Sequence, residues 1–177
     1  MRILLVCGYA GSGKSTFVAK FSEHLRKQGK KTYLMNLDPA VESILFEPNL
    51  DIRDTIDYKG IMKDLVLGPN GATMACMNIF VSKIDQITTI MSSKTVTHDY
   101  IMIDTPGQIE MFTWSSSGDI IAKSLKTTFT DVSLLYVVDG NRCFNSHRTM
   151  ASNILHACSV SKKMDIPMKL IFTKMDI

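Results

Sequence analysis

Ile3-Leu4-Leu5-Val6-Cys7-Gly8-Tyr9-Ala10-Gly11-Ser12-Gly13-Lys14-Ser15 joins an apolar run to a glycine-rich stretch with the spacing G-x-x-x-x-G-K-S. An apolar run without alternation is what a strand covered on both faces displays. Val18, Phe21 and Leu25 follow at helical spacing, so the glycines lie between a strand and a helix. Glycines let backbone N–H groups converge on phosphate oxygens, and the helix N-terminus adds positive potential there. Gly11, Ser12, Gly13, Lys14, Ser15 and Thr16 are therefore the expected phosphate-binding residues. In this pattern Lys14 reaches the β- and γ-phosphates and the Ser15 hydroxyl ligates Mg²⁺. The stretch predicts a nucleoside triphosphate site.

Working outward, Tyr100–Ile103, Leu134–Val138 and Lys169–Phe172 read as further buried strands, with Thr32–Asn36 a weaker one. Phe80, Ile84, Ile87 and Met91 keep helical spacing, and so do Met150, Ile154 and Cys158. Strands alternating with helices predict βαβ units and a parallel sheet, hence an α/β fold. With the glycine motif, this is the P-loop NTPase fold: a mostly parallel sheet flanked by helices. Pro39 to Thr97 holds no strong strand and carries turn signals at Pro48-Asn49 and Gly68-Pro69-Asn70-Gly71. It predicts a helical insertion over about residues 40–97 within a single domain, 1–177.

Composition sets the limits. The 177 residues are 45% hydrophobic and 21% charged, which excludes disordered, collagenous and coiled-coil chains. A formal net charge of +3 is too small to argue for direct nucleic-acid binding. Cys7, Cys76, Cys143 and Cys158 form no C-x-x-C pair, against zinc and against a secreted disulfide framework. No run approaches the roughly 20 apolar residues of a membrane span. A cytoplasmic protein with free thiols and no membrane partner is expected. The 12 methionines read as core fillers.

Two further motifs carry chemistry. Ile103-Asp104-Thr105-Pro106-Gly107-Gln108 ends a buried strand with D-x-x-G, placing a carboxylate where open α/β sheets bind ligands. Asp104 is the expected second Mg²⁺ partner, and Gly107 allows backbone approach to a γ-phosphate. Thr173-Lys174-Met175-Asp176 resembles the guanine-reading N-K-x-D element, with Thr for Asn. Asp176 can accept from guanine N1–H and its 2-amino group together, which adenine cannot match. The order of the three motifs describes a GTPase that uses GTP with Mg²⁺. A P-loop nucleotide kinase or ATPase is one alternative, although Arg53, Arg142 and Arg148 are the only arginines beyond the first helix. A non-hydrolysing, nucleotide-dependent assembly module is the other.

Asn36-Leu37-Asp38-Pro39-Ala40, Asp51-Ile52-Arg53-Asp54-Thr55-Ile56 and Leu67-Gly68-Pro69-Asn70-Gly71-Ala72 extend the pattern. With them the sequence closely resembles the GPN-loop GTPases, named for their Gly-Pro-Asn element, here Gly68, Pro69 and Asn70. Ile109-Glu110-Met111-Phe112-Thr113-Trp114-Ser115-Ser116-Ser117-Gly118 is similar to the eukaryotic type 1 paralogue. The resemblance implies a homodimer, or a heterodimer with a related GPN-loop GTPase, in which Asn70 reaches the partner's γ-phosphate. It implies that Asp38, Gln108 and Glu110 orient the attacking water. It further implies RNA polymerase II subunits as clients, with assembly in the cytoplasm and shuttling to the nucleus. The resemblance also implies truncation at the C-terminal end relative to the family.

Overall fold

Residues 3, 5 and 7 of the first strand point to one face and 4 and 6 to the other, as the two-residue period of a strand requires. Both sets are buried, so β1 (Arg2–Cys7) lies inside a two-sided sheet. The computed structural model describes residues 1–176; position 177, the end of the expected domain, lies outside the described residues. The other strands are β2 (Thr32–Asn36), β3 (Leu50–Asp51), β4 (Tyr100–Asp104), β5 (Val132–Asp139) and β6 (Met168–Thr173). They form one parallel sheet in the order β3-β2-β4-β1-β5-β6.

The register gathers the carboxyl ends of the strands. Val6 and Asn36 both pair with Asp104, Asn36 pairs with Asp51, and Asp139 pairs with Thr173. α1 (Lys14–Lys27) covers one face through Val18 and Leu25, against Leu4, Val6, Leu34 and Met102. The other face carries the larger core. Its helices are α3 (Pro69–Val81), α4 (Ile84–Ser93), α5 (Ile109–Thr113), α6 (Ser116–Thr128) and α8 (His147–Met164). Two short helices, α2 (Tyr58–Asp64) and α7 (Gly140–Phe144), complete the fold.

The structure departs from the sequence expectations at several points. The interval after Pro39 contains a strand, because Leu50–Asp51 pairs with β2. Two residues are too few to show a period. This interval does not stand off the sheet: Cys76, Met77, Phe80, Ile87 and Met91 all enter the main core. The Phe80–Met91 pattern is two helices, α3 and α4, separated at Ser82-Lys83. The buried stripe of α8 is Ala157, Val160 and Met164, and Cys158 is exposed. β6 is an edge strand and only half-buried. Met35, Met77, Met91, Met102 and Met164 are buried as fillers. Among the described residues no helix is long and apolar enough to cross a membrane.

Candidate functional site

The turn from β1 to α1 builds a cradle from backbone. Gly8 has φ +152°, and a Cβ there would sit 2.3 Å from the Val137 carbonyl oxygen, so no side chain fits. Gly13 takes the left-handed conformation at the N-cap of α1, where no side-chain hydrogen bond caps the helix. The first N–H groups of α1 are thus left to a ligand, and an anion is what they suit. Lys14 is 6% exposed and its Nζ donates to the Gly8 and Tyr9 carbonyls at 2.9 and 3.2 Å. Burial depresses its pKa, opposed mainly by the charge of Asp104. A cavity of about 230 Å³ beside it is lined by Gly11, Gly13, Lys14, Ser15, Thr16, Asp38, Thr105 and Gly107 among others.

Asp104 lies against Ser15, which lines this cavity. The Ser15 hydroxyl donates to its Oδ2 at 2.6 Å, while its Oδ1 is buried without a hydrogen-bond partner. A carboxylate oxygen left bare at the carboxyl end of a strand, beside a serine hydroxyl, is a donor set for a hard divalent cation. Ser15 and Asp104 therefore fit Mg²⁺, with phosphate oxygens supplying further positions. Burial pushes the Asp104 pKa up to about 6; the Ser15 hydrogen bond and the Lys14 charge oppose this, and Asp38 adds to it.

That shift has a sign. The folded-state pKa lies above the ordinary 3.8, so the fold favours the protonated acid. This contribution is full below pH 3.8 and is lost as pH rises through about 6. Without divalent cation, Asp104→Asn is expected to be more stable than the unmodified chain at pH 7.5, by about 3 kcal/mol. The gap should close below about pH 4. Thermal melts in chelator across pH check it. A constant difference at all pH values contradicts the reading.

The segment after β2 contributes Asp38, whose Oδ2 accepts the Gly107 N–H at 2.8 Å and whose Oδ1 accepts that of Ala40 at 3.0 Å. Asp38 and the D-x-x-G glycine are thus brought together over the cavity. Asn36 sets this geometry and was not legible as a site residue. It is buried, donates to Asp51 Oδ1 and the Asp38 carbonyl, and accepts the Asp38 N–H. Burial opposes ionisation of Asp51, but the Arg53 guanidinium and Asn36 hold its carboxyl below the usual range. Arg53 also donates to the Val41 carbonyl, tying down the segment after Asp38. Gln108 and Glu110, at the start of α5, are exposed.

The end of β6 is strapped to the phosphate loop. The Thr173 hydroxyl lies 2.5 Å from the Ser12 carbonyl and 3.1 Å from that of Val138. Thr173, which stands where the N-K-x-D element has Asn, is thus bonded to the phosphate loop. Lys174 has φ +53°, and its Nζ donates to the Gly11 carbonyl and to Asp139 Oδ2 at 2.7 and 2.8 Å. Asp139 is a second residue the sequence did not flag, since its partner is 35 residues away. Asp176 is exposed in the turn that follows.

Gly68-Pro69-Asn70 is corrected from a turn to a helix start. Gly68 is the N-cap of α3, Pro69 the first helical residue and Asn70 the second. Proline at that position signals a turn and a helix N-terminus equally well. The Tyr58 and Thr73 hydroxyls both donate to the Pro69 carbonyl, fixing the element. Asn70 is exposed and is not among the residues lining the phosphate cavity of its own subunit. Ile109–Gly118 forms α5, the half-exposed Trp114 and the start of α6, capped by Ser115 accepting the Gly118 N–H.

A family model described as a conserved hypothetical ATP-binding protein matches residues 6–177. GPN-loop GTPase 1 of Schizosaccharomyces pombe is 45% identical over 174 residues, covering 98% of this chain and 47% of its own. GPN-loop GTPase 1 of Saccharomyces cerevisiae is 44% identical over 174 residues, covering 98% and 45%. GPN-loop GTPase 3 of S. pombe is 32% identical over 179 residues, covering 97% and 62%. The chain spans about half the length of the first two relatives. Among solved structures, an apo-form GTPase from Pyrococcus abyssi has a TM-score of 0.87 at 24% identity, over 99% of this chain and 68% of that one. That is a likeness of fold.

Proposed function

The chain belongs to the GPN-loop GTPase family, and from that premise we propose that it binds and hydrolyses GTP as a dimeric switch. One observation carries the base preference. Thr173 and Lys174 bond to the carbonyls of Ser12 and Gly11, which ties the turn holding Asp176 to the loop that cradles the phosphates. Base and phosphate contacts then belong to one rigid unit. The family model's description speaks of ATP; the T-K-x-D carboxylate favours guanine, whose two adjacent donors match its two oxygens.

In this reading the α1 N–H groups and Lys14 hold the phosphates, and Ser15 and Asp104 hold Mg²⁺. Mg²⁺, when bound, offsets the charge of the phosphate oxygens. Asp38 holds Gly107 at the phosphate cavity by accepting its N–H, and Gln108 and Glu110 border the position of the attacking water. Asn70 is exposed and outside its own phosphate cavity, which favours action on a partner subunit. The resemblance of residues 109–118 to type 1 extends the proposal to assembly and nuclear import of RNA polymerase II, with cytoplasmic residence and shuttling.

Turnover of GTP and ATP at two protein concentrations tests the activity. A dimeric GTPase raises its specific activity with concentration and prefers GTP. Preference for ATP favours a kinase or ATPase, and binding without turnover favours an assembly module.

Base choice is expected to rest on Asp176. Asp176→Asn sets a donor against guanine's donors, at a cost of about 1–3 kcal/mol. GTP preference should fall and affinity for xanthosine nucleotides should rise, since their extra carbonyl accepts from the new amide. Competition titration with both nucleotides measures the exchange; an unchanged preference for GTP removes Asp176 from the base site.

A further inference from the structure

α8 runs beside the phosphate loop. Thr149 and Asn153 line a cavity of about 210 Å³ with Tyr9, Ala10, Gly11 and Ser12. One turn further on, the gap closes. The His156 ring packs on the Tyr9 ring with centroids 4.9 Å apart and planes tilted by 34°. His156 is held from its other side, where Nδ1 lies 2.7 Å from the hydroxyl of Tyr136. Tyr136 is fully buried on β5, in register with Cys7 just before the loop. The His156 ring is thus clamped between a core strand and the second residue of the phosphate loop.

Lys14 is held by the carbonyls of Gly8, at 2.9 Å, and of Tyr9. The Tyr9 carbonyl accepts the Lys14 ammonium at 3.2 Å and the Ser12 N–H at 3.1 Å. A shift of the Tyr9 ring moves that carbonyl, and with it the cation meant for the β- and γ-phosphates. Tyr9 is half-buried and also packs against the larger core, with positive-φ glycines at positions 8 and 11 on either side of it. Glu110 of α5 is a charged neighbour of Tyr9, Tyr136 and His156 alike. Burial holds the His156 pKa below its ordinary value, opposed by Glu110, so a neutral ring is favoured.

We infer that His156 is a positioning residue of the nucleotide site, setting Lys14 through the packing of its ring on Tyr9. The inference rests on the GTPase reading only for its rate readout. An aromatic contact of this kind corresponds to about a three- to tenfold change in rate.

The test compares His156→Ala, His156→Phe, Tyr9→Ala and the double variant Tyr9→Ala/His156→Ala in the full-length protein. Kinetics of GTP hydrolysis, dissociation of a non-hydrolysable GTP analogue and thermal melting are the readouts. His156→Ala should lower kcat about three- to tenfold with KM nearly unchanged, and speed analogue dissociation similarly. His156→Phe, which keeps a ring against Tyr9, should recover most of both. The double variant should be no worse than Tyr9→Ala alone, because both remove one contact. Additive losses, or losses that persist in His156→Phe while it melts normally, overturn the inference. Unchanged kcat and dissociation in His156→Ala overturn it too. If the unmodified protein binds GTP without turning it over, the GTPase reading fails, and the analogue's dissociation rate alone decides about His156. If His156→Ala does not fold, His156→Phe and Tyr9→Ala carry the comparison: the first near normal, the second impaired.

Discussion

Lys14→Ala should weaken triphosphate binding by about 10²–10³-fold while the protein stays folded. The size follows from the loss of charge-assisted hydrogen bonds to the β- and γ-phosphates, each worth about 1.5–3 kcal/mol. Survival of the fold follows from what Lys14 does without ligand. Its ammonium is buried and satisfies two loop carbonyls, Gly8 and Tyr9. Burial works against its charge, so removal sheds a desolvation cost along with those bonds. The loss nearby falls on Asp104, whose ionised form Lys14 favours, and whose pKa should climb above about 6 in the variant. Calorimetric titration with a non-hydrolysable GTP analogue reads the affinity, and a thermal melt reads the fold. Unchanged affinity in a folded variant would falsify the phosphate-loop assignment.

Asn70→Ala is the second large effect: hydrolysis should slow about 10²-fold with GTP affinity nearly intact. A catalytic group supplied by a partner, such as an arginine finger, is worth about 10³–10⁵ in rate, and a neutral amide falls below that. Loss of stability does not account for such a drop. Asn70 is exposed at the second position of α3, and the turn is held through the backbone of Pro69 by Tyr58 and Thr73. Exposed substitutions away from such anchors usually change stability by no more than about 0.5 kcal/mol. Mixing separates the two geometries. In a dimer of Asn70→Ala with Lys14→Ala, the first subunit keeps its phosphate loop and the second keeps its Asn70. Action in trans rebuilds one working site, so two nearly inactive proteins should become active together. If mixed dimers form and activity stays at the level of the separate variants, Asn70 acts within its own subunit or not at all.

By itself the sequence determined the phosphate loop and the central strands, which depend on short spacing. A glycine whose Cβ would lie 2.3 Å from a carbonyl oxygen, and a left-handed N-cap, are demands that only particular residues meet, so Gly8 and Gly13 announce the phosphate loop. Uninterrupted apolar runs announced the buried strands, and D-x-x-G placed Asp104 at a strand end, because strand burial and strand ends are local properties. Tertiary structure alone decided what depends on which strand lies beside which. Asn36 reaches Asp51 and Asp38 because β2 pairs with β3, a strand of two residues that shows no period. Asp139 reaches Lys174 because β5 pairs with β6. Gly68-Pro69-Asn70 satisfies a turn and a helix start equally, and only burial of Cys76 and Met77 in the main core selects the helix. His156 was hidden for a related reason: apolar spacing traced α8 through Cys158, whereas packing rotated the helix to bury Ala157 and Val160. That rotation sets an imidazole against Tyr9, and a contact between residues 9 and 156 leaves no mark on the spacing of either.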